Sequence, residues 1–398
     1  MFIPERRLLR NISPAQPVYV LERSRRFVLT ESCLTPVEPT QTLGVANRLT
    51  TEGASCRPAI LAIGTATPAL RVTQEESFSL AGYAQPSLRR IFRNSGIDFR
   101  HFYFEGVPRL DETSDELNDR YRRGAIHIGC RAARACLDEA GLSCRDVDLL
   151  VVCSSTGYVC PDIGSQLIAH MGFRSDVQRV PIVGLGCAGA IPSLRCASDF
   201  AQSHPGSVAL VVTVEICSAC YYADDTLETV VGNAICGDGA AAFLLTSNPL
   251  PRHPYPAIVD FQTFLDPDHL QTVGFDRRDG KLRIVLGTDV RDLAAPLIRG
   301  ALAPLLARHG LSPAAIRFWV AHPGGRRVMD NVQEALRLTD ADLRFSRSTL
   351  RRFGNMSSPT VMFVLDDVIR TGDPRTGDWG VMIALGPGMA AEVALLQW

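Results

Sequence analysis

The segment Val180-Pro-Ile-Val-Gly-Leu-Gly186-Cys187-Ala-Gly-Ala190 joins a short apolar run to the beginning of an amphipathic one. The apolar run ends in glycines, which predicts a buried strand and a sharp turn. Ile191, Leu194 and Ala197 follow at helical spacing and predict a helix just after Cys187. A thiol at a helix N-terminus is expected to have a lowered pKa and to act as a nucleophile. The alternative interpretation is a small buried core residue.

A balanced charge and a high apolar content characterise the whole chain. Its 398 residues are 46% hydrophobic and carry a formal net charge of −1. This length accommodates two domains or two fused half-domains. The balanced charge gives no overall positive electrostatic field that would favour nucleic acid as a partner. No apolar run reaches the ~18–20 residues of a membrane span. The composition therefore predicts a globular protein with no nucleic-acid partner and no membrane span.

The twelve cysteines are interpreted as free thiols. Most of them lie inside apolar runs, and the start of the chain lacks the charged and apolar regions of a signal peptide, so we expect a cytoplasmic location. Cys217-Ser-Ala-Cys220 has the spacing of a metal or redox pair, but no second pair and no nearby histidine pair complete a zinc site. We expect neither a metal site nor a redox dithiol at this motif.

Three regions of different composition follow one another along the chain. Residues 1–57 mix Arg, Pro and Thr without an apolar period, which predicts a flexible N-terminal extension. Strand and helix signals alternate in residues 58–250, and after a proline-rich joint they alternate again in residues 251–398. This repeated alternation predicts an α/β fold with mostly buried strands, built from two successive halves.

Two segments of the second half, like the Cys187 segment, place one polar residue near glycines at a strand end or a helix start. Trp319-Val-Ala-His322-Pro-Gly-Gly325 places a histidine after an apolar strand, and Phe353-Gly-Asn355-Met-Ser-Ser-Pro359 places an asparagine before a helix predicted over residues 356–370. Taken singly, His322 fits a turn residue and Asn355 fits an ordinary helix N-cap. Three such polar residues at strand or helix ends, including Cys187, indicate a common site.

The chemistry of the trio fits acyl transfer. A thiolate attacks a thioester and holds the acyl group covalently, and the histidine stabilises that thiolate as an ion pair. The asparagine cannot titrate, so it offers a fixed N–H to a developing oxyanion. No carboxylate belongs to the set, which favours decarboxylative carbon–carbon bond formation over proton abstraction. A Cys/His protease would use asparagine only to orient the histidine and would not account for the two halves.

Six stretches, in order, resemble the chalcone/stilbene synthase family, the type III polyketide synthases of the thiolase superfamily, in a bacterial form. They are residues 60–68, 186–189, 237–242, 321–325, 353–358 and 386–388. The resemblance covers residues 58–398. It implies a homodimer with the five-layer αβαβα thiolase fold, acyl-CoA and malonyl-CoA as substrates and no other cofactor. Cys187 is then the nucleophile, and His322 and Asn355 bind the thioester carbonyl and stabilise the enolate.

The resemblance also assigns the substrate cavity. Cys236 takes the place of a gatekeeper phenylalanine in plant enzymes, and Cys160 falls where the family reaches into the partner's cavity. The resemblance does not assign the second gatekeeper phenylalanine of the family to one residue, and Arg283 and Ile284 are the candidates. Cysteines at wall positions favour a roomy apolar cavity and a long aliphatic starter. The predicted substrate-binding residues are Ser155, Thr156, Cys160, Cys217, Cys220, Cys236, Ser357 and Gly388.

A basic helix is expected at the coenzyme A mouth of the cavity. The run Leu88-Arg-Arg-Ile-Phe-Arg93 supplies three arginines, and the family's other lysines at this mouth fall on Ser87 and Asn94. A solvated charged face is the alternative interpretation. The predicted coenzyme A-binding residues are Arg89, Arg90, Arg93, Gly324 and Arg327.

The predicted function is therefore a type III polyketide synthase. It loads an acyl starter on Cys187, extends it with malonyl units and cyclises the chain to a resorcinol, phloroglucinol or pyrone. One rival is a condensing enzyme like ketoacyl-acyl-carrier-protein synthase III, which shares the Cys, His and Asn. A hydroxymethylglutaryl-CoA synthase would need a glutamate base, for which no candidate stands at a matching position. The non-enzymatic alternative is a degenerate thiolase-fold scaffold subunit.

Overall fold

The computed structural model describes residues 57–104, 111–221, 224, 226–248, 255–287 and 289–398. The predicted N-terminal extension, residues 1–57, lies outside the described residues except for Arg57. The predicted boundaries of the halves, residues 58–250 and 251–398, stay a prediction.

Strands and helices alternate as the sequence predicts. The strands are β1 Ala59–Ala66, β2 Leu70–Thr73, β3 Phe99–Phe102, β4 Leu149–Cys153, β5 Gln178–Ile182, β6 Ala209–Glu215, β7 Gly239–Thr246, β8 Ala257–Leu265, β9 Val273–Arg278, β10 Lys281–Leu286, β11 Ile316–Ala321, β12 Trp379–Gly386 and β13 Ala390–Gln397. The helices are α1 Gln74–Leu80, α2 Pro86–Arg93, α3 Ser114–Ala140, α4 Ile163–Met171, α5 Ala190–Ser203, α6 Leu227–Ile235, α7 Val290–Arg308, α8 Arg326–Leu336, α9 Arg344–Phe353 and α10 Thr360–Thr371.

Nine strands pair in the order β11-β12-β13-β8-β1-β7-β6-β4-β5. The first four strands in this order follow residue 251, and the remaining five strands, from β1 to β5, precede it. The two groups meet where β1 pairs with β8 through the single residue pair Ala59 and Ala257. Strands β4, β6 and β7 are buried along their whole length. Strands buried on both faces need a layer of helices on each side, which explains their continuous apolar sequence.

The apolar clusters define five layers. Helices α3 and α4 cover the outer face of the N-terminal strands through residues such as Ile128 and Leu167. Helices α5 and α10 form a central layer against the inner faces of both groups of strands, with Leu194 and Val364 in one continuous core. Helix α7 covers the outer face of the C-terminal strands through Leu302. This αβαβα arrangement is the predicted thiolase fold.

One predicted helix begins later than expected. The sequence pattern predicts a helix over residues 356–370, but α10 begins at Thr360. Ser357 has a φ of 58°, which lies in the left-handed region and interrupts a right-handed helix. The hydroxyl of Thr360 accepts a hydrogen bond from the Met356 N–H at 2.9 Å and stabilises the intervening turn. Asn355 therefore lies ahead of a turn and does not cap α10.

Among the described residues, no helix combines the length and the apolar character required to cross a membrane.

Candidate active site

Cys187 lies in a single 3₁₀ turn, Gly186–Ala188, between β5 and α5. Gly186 has a φ of 48°, and a Cβ at this position would come within 2.6 Å of Cδ of Pro387, so only glycine fits without a shift. The Gly186 N–H donates to the Ser155 hydroxyl at 2.9 Å. The turn that presents the thiol is thus fixed by the loop after β4 and by the loop between β12 and β13.

Burial dominates the electrostatics of Cys187. Loss of water around the thiol raises the pKa of Cys187 to about 12, and hydrogen bonding with Ser357 and Asn355 opposes this rise. The expected lowering of this pKa by the helix N-terminus is therefore wrong. Helix α5 begins only at Ala190, and its end effect falls off within a turn. Desolvation of a charged sulfur outweighs such an effect.

Asn355 links Cys187 to the end of α6. The Cys187 thiol donates to Oδ1 of Asn355 at 3.8 Å, and the Ser357 N–H donates to the same oxygen at 2.8 Å. The amide nitrogen of Asn355 donates to the Gly324 carbonyl at 3.2 Å. Its backbone forms an isolated bridge with Cys236. Asn355 is consequently held at both its backbone and its side chain, as a preorganised hydrogen-bond donor must be.

His322 follows β11, and its backbone N–H donates to the Ile383 carbonyl at 2.7 Å. Both ring nitrogens are buried and have no hydrogen-bond partner in the described part of the chain. The ring lines a cavity of about 20 Å³ with apolar neighbours that include Met329 and Leu343. This burial lowers the pKa of His322 to about 4. A neutral imidazole with free nitrogens is equipped to accept a thiol proton or to bind a ligand oxygen.

Gly324 leaves space beside the imidazole. A Cβ at Gly324 would lie 3.7 Å from Nε2 of His322, and the Gly324 carbonyl already accepts from Asn355. His322 and Asn355 are therefore connected through one residue, and Asn355 contacts Cys187. The structure brings the three predicted catalytic residues together in this way, and their individual roles stay predictions.

A buried carboxylate also belongs to the site, although the sequence pattern did not assign it. One oxygen of Glu215 accepts from the Ser155 N–H at 2.9 Å, the Thr156 N–H at 3.0 Å and the Thr156 hydroxyl at 2.9 Å. The other oxygen accepts from Ser358 at 2.8 Å and from Ser357 at 3.4 Å. Burial raises the pKa of Glu215. The single signal in the sequence was a carboxylate at the end of the mostly apolar strand β6.

These hydrogen bonds occupy both oxygens of Glu215 and join two segments of the predicted site. One segment is the loop after β4, with Ser155 and Thr156, and the other is the turn after Asn355, with Ser357. All three predicted substrate-binding hydroxyl residues thus lie around one carboxylate. The geometry favours a positioning role for Glu215, since its acceptor atoms already have partners within the protein.

The cavity cysteines occupy three different environments. Cys236 is half-buried at the end of α6, and Cys217 is buried in the 3₁₀ turn after β6. The thiol of Cys220 donates to the Thr156 carbonyl at 3.2 Å. Cys160 is exposed on the surface of the single chain. Among the described residues, no group of histidine, cysteine or carboxylate side chains is arranged to hold a metal ion.

Gly388 and the two candidates for the second gatekeeper, Arg283 and Ile284, lie in different environments. Gly388 has a φ of 76°, and a Cβ there would lie within 4 Å of the side chains of Leu265 and Leu270. Arg283 is buried and forms an ion pair with Asp224. Ile284 packs against α6, where a Cβ at Gly232 would come within 2.7 Å of it. Of the two gatekeeper candidates, Arg283 is thus engaged in an ion pair, whereas Ile284 is an apolar side chain against α6.

The predicted coenzyme A-binding arginines differ in whether they form ion pairs within the protein. Arg89 forms an ion pair with Glu75 at 3.0 Å, and Arg93 lies 3.5 Å from the same carboxylate. Arg90 and Arg327 are exposed. Arg326, which the sequence pattern did not single out, covers Gly96 just after α2, since a Cβ at Gly96 would lie 3.6 Å from Cδ of Arg326. The N-terminus of α8 therefore adjoins the end of α2.

Comparisons with known proteins agree with this geometry. Residues 105–249 match the family described as chalcone and stilbene synthases, N-terminal domain, and residues 258–398 match the corresponding C-terminal domain. A 3,5-dihydroxyphenylacetyl-CoA synthase from Amycolatopsis balhimycina is 32% identical, over 92% of this chain and 99% of its own length. A 1,3,6,8-tetrahydroxynaphthalene synthase from Streptomyces peucetius subsp. caesius is 34% identical, over 85% and 93%.

Solved structures show the same likeness. The polyketide synthase PKS-I of the brown alga Ectocarpus siliculosus superposes with a TM-score of 0.81 at 28% identity, over 87% of this chain and 99% of the algal chain. The 1,3,6,8-tetrahydroxynaphthalene synthase of Streptomyces coelicolor, a bacterial type III polyketide synthase, gives a TM-score of 0.79 at 28% identity, over 85% and 99%. Enzymes of this type are acyltransferases that take coenzyme A thioesters as substrates and need no other cofactor. The chain belongs to the chalcone and stilbene synthase family and is a type III polyketide synthase.

Proposed function

We propose that the enzyme loads an acyl-CoA starter on Cys187, extends it by decarboxylative condensation with malonyl-CoA and cyclises the chain to a resorcinol, phloroglucinol or pyrone. The observation that carries this proposal is the connection of Cys187, Asn355 and Gly324 beside the ring of His322, whose nitrogens have no hydrogen-bond partner among the described residues. A thioester carbonyl that enters this site meets an imidazole N–H and an amide N–H, the donors that a developing oxyanion requires.

The acidity of the buried groups fits a proton transfer coupled to loading. Burial disfavours a thiolate on Cys187 alone and an imidazolium on His322 alone, because each isolated charge lacks water. Transfer of the thiol proton to His322 forms both charges together, so that each stabilises the other. The resulting thiolate attacks the starter carbonyl, and coenzyme A leaves as its thiol after taking that proton.

Extension then uses the same donors a second time. When malonyl-CoA loses carbon dioxide, an enolate forms on its thioester carbonyl, and the N–H groups of His322 and Asn355 stabilise the negative oxygen. The enolate carbon attacks the carbonyl carbon of the acyl group on Cys187, the bond between that carbon and the sulfur breaks, and Cys187 leaves as its thiolate. No carboxylate base is needed for this step, which fits a site in which both oxygens of Glu215 are already occupied by hydrogen bonds.

Two features bear on substrate and product. The curated relatives named above make 3,5-dihydroxyphenylacetyl-CoA and 1,3,6,8-tetrahydroxynaphthalene, which favours a polyhydroxylated aromatic ring in this product as well. Cys217 and Cys236 line the cavity where bulkier residues stand in plant enzymes, which favours a long aliphatic starter. Ile284 is proposed as the second gatekeeper.

We place the coenzyme A mouth between α2 and α8. Arg90, Arg326 and Arg327 are exposed there, and guanidinium groups suit the phosphates of coenzyme A. The helix N-terminus of α8 adds favourable backbone N–H groups.

A homodimer is proposed from the exposed edge of the sheet. Strand β5 pairs with β4 on one side and is the last strand of the sheet on the other. Tyr158 is 66% exposed and Val183 is 58% exposed. A strand edge that no other described strand pairs with, beside exposed apolar side chains, favours association with a second copy. We also assign the enzyme to the cytoplasm, because the ten cysteines of the described part are free thiols.

Incubation with malonyl-CoA and a panel of acyl-CoA starters, followed by mass spectrometry of the products, tests the proposed function. We expect carbon dioxide release and cyclised products without any carrier protein, with the highest kcat/KM for long aliphatic starters. Strict dependence on an acyl carrier protein would support the ketoacyl-synthase alternative instead. Sedimentation analysis tests the dimer, which Val183→Asp and Tyr158→Asp should convert to monomers.

A further inference from the structure

Arg100, on strand β3, is completely buried and carries its positive charge into the interior of the chain. Its Nη1 donates to the Asn233 carbonyl at 2.7 Å and to the Cys236 carbonyl at 2.6 Å, and its Nη2 donates to the Ser77 hydroxyl. All three acceptors are neutral groups, and nothing among the described residues accepts from Nε. A buried charge whose acceptors include no carboxylate is costly, and two of these three acceptors lie at the end of helix α6.

The end of α6 accounts for the position of this cation. The last three carbonyls of the helix each accept a hydrogen bond from outside it, as helix ends require. The donors are the Arg100 guanidinium to Asn233, the Gln74 side-chain amide to Ala234 at 2.7 Å and the Asn355 N–H to Ile235 at 2.8 Å. Because the C-terminal end of a helix carries a partial negative charge, a cation there is favourable. Arg100 therefore fixes the helix end that also binds the backbone of Asn355.

The backbone of Asn355 is held on both sides of the Cys236 carbonyl. The Asn355 N–H donates to the residue before Cys236 at 2.8 Å, and the Asn355 carbonyl accepts from the residue after it at 3.0 Å. Gly354, which precedes Asn355, has a φ of 71°, and a Cβ there would come within 2.7 Å of Cγ and Cδ of Arg100. The guanidinium and the aliphatic part of Arg100 thus contact both segments that position Asn355.

We propose that Arg100 is a positioning residue for condensation, which holds the Asn355 side chain in place beside the Cys187 thiol. The contact that depends on this placement is the one between Oδ1 of Asn355 and Sγ of Cys187, at 3.8 Å. A misplacement of about 1 Å at such a group costs up to about 10²-fold in rate. The effect on rate rests on the proposed function, in which Asn355 stabilises the enolate, whereas the clamp on α6 does not.

Three single variants separate the clamp from simple loss of a buried side chain. Arg100→Gln removes the charge, and Arg100→Lys keeps the charge but loses the planar fork that reaches several acceptors. The matched control Ser77→Ala removes the third acceptor and leaves both carbonyls at the end of α6 bound to Arg100.

The first readout is the rate of malonyl-CoA decarboxylation and product formation. We expect kcat to fall about 10²-fold in Arg100→Gln, about three- to tenfold in Arg100→Lys and less than about twofold in Ser77→Ala. KM for malonyl-CoA should stay within about twofold of the wild type, because the arginines of the proposed coenzyme A mouth are unchanged. Circular dichroism reports whether each variant is folded, and if Arg100→Gln is not, the difference between Arg100→Lys and Ser77→Ala decides.

Hydrogen exchange is a second readout that does not depend on catalysis. The backbone amides of Asn355 and Gly237 donate within the clamp. Mass spectrometry of peptides covering residues 233–238 and 353–358 should show exchange at least about tenfold faster in the Arg100 variants than in the wild type and in Ser77→Ala. Unchanged exchange in a folded Arg100 variant would overturn the proposal.

A double variant distinguishes positioning from general destabilisation. In Asn355→Ala the positioned side chain is absent, so the addition of Arg100→Gln, or of Arg100→Lys, should lower the residual decarboxylation rate less than about twofold. A further loss as large as in the single Arg100 variant overturns the proposal, as does an unchanged kcat in a folded Arg100 variant. If Asn355→Ala keeps the wild-type rate, the proposed function fails, and faster exchange in the Arg100 variants still identifies the clamp.

Discussion

Replacement of Glu215 separates a positioning carboxylate from a catalytic one. In Glu215→Ala, the N–H groups of Ser155 and Thr156 lose their acceptor inside the protein. A buried donor without a partner costs about 1–3 kcal/mol, so the pair costs about 2–6 kcal/mol. The substitution also removes a buried carboxylate and its desolvation penalty, which offsets part of this loss of stability. We expect the free energy of unfolding to fall by about 2–4 kcal/mol.

The matched control is Glu215→Gln. Its amide oxygen accepts from the same two N–H groups, and its amide nitrogen faces the Ser357 and Ser358 hydroxyls, which rotate to accept. We expect a loss of stability below about 1 kcal/mol. Because the turn after Asn355 stays anchored, kcat should fall less than about tenfold in Glu215→Gln and about 10²-fold in Glu215→Ala.

The measurements are urea unfolding and the rates of malonyl-CoA decarboxylation and product formation. If kcat in Glu215→Gln falls as far as in Glu215→Ala while the protein remains stable, the carboxylate takes part in proton transfer. That result would refute the positioning role, since only the ionisable group differs between glutamate and glutamine.

Three further predictions concern the mouth, the cavity and the pH dependence of stability. The double variant Arg326→Ala/Arg327→Ala should raise KM for malonyl-CoA about tenfold at low salt with little change in kcat, and a similar rise in the surface control Arg375→Ala would contradict the proposed mouth. Cys236→Phe should fill the cavity and shift products to fewer extensions by mass spectrometry, whereas Cys236→Ser should leave the product pattern unchanged. Burial raises the pKa of Asp238 to about 6, so the folded state keeps a proton that the unfolded state has released between about pH 4 and pH 6. Stability from this group is therefore present below pH 4 and is lost as pH rises to 6, and Asp238→Asn should remove about 3 kcal/mol from the difference between pH 4 and pH 7 in urea unfolding; an unchanged difference would contradict the raised pKa.

Local sequence chemistry was sufficient to predict the secondary structure around Cys187 and His322. Cys187 and His322 each follow an apolar run and precede glycines, so the pattern of strand and turn is visible without any tertiary information. The alternation of strands and helices likewise predicted the layers, because strands covered on both faces have a continuous apolar sequence.

Features that depend on tertiary burial were not predictable from these patterns. The pKa of Cys187 rises because of its surroundings in the folded chain, whereas the sequence shows only the nearby helix. Glu215 accepts hydrogen bonds from residues up to 143 positions away, such as Ser358. The local sequence of strand β6 does not indicate these partners. The start of α10 was missed because the left-handed backbone of Ser357 has no mark in the sequence.

Intact-protein mass spectrometry after incubation with a starter acyl-CoA, without malonyl-CoA, tests the central claim most directly. The account predicts a mass increase equal to one acyl group in the wild type, located on Cys187 by peptide mapping, and no increase in Cys187→Ala. An acyl group on another thiol, such as Cys236, or an undiminished increase in Cys187→Ala would contradict Cys187 as the acyl carrier.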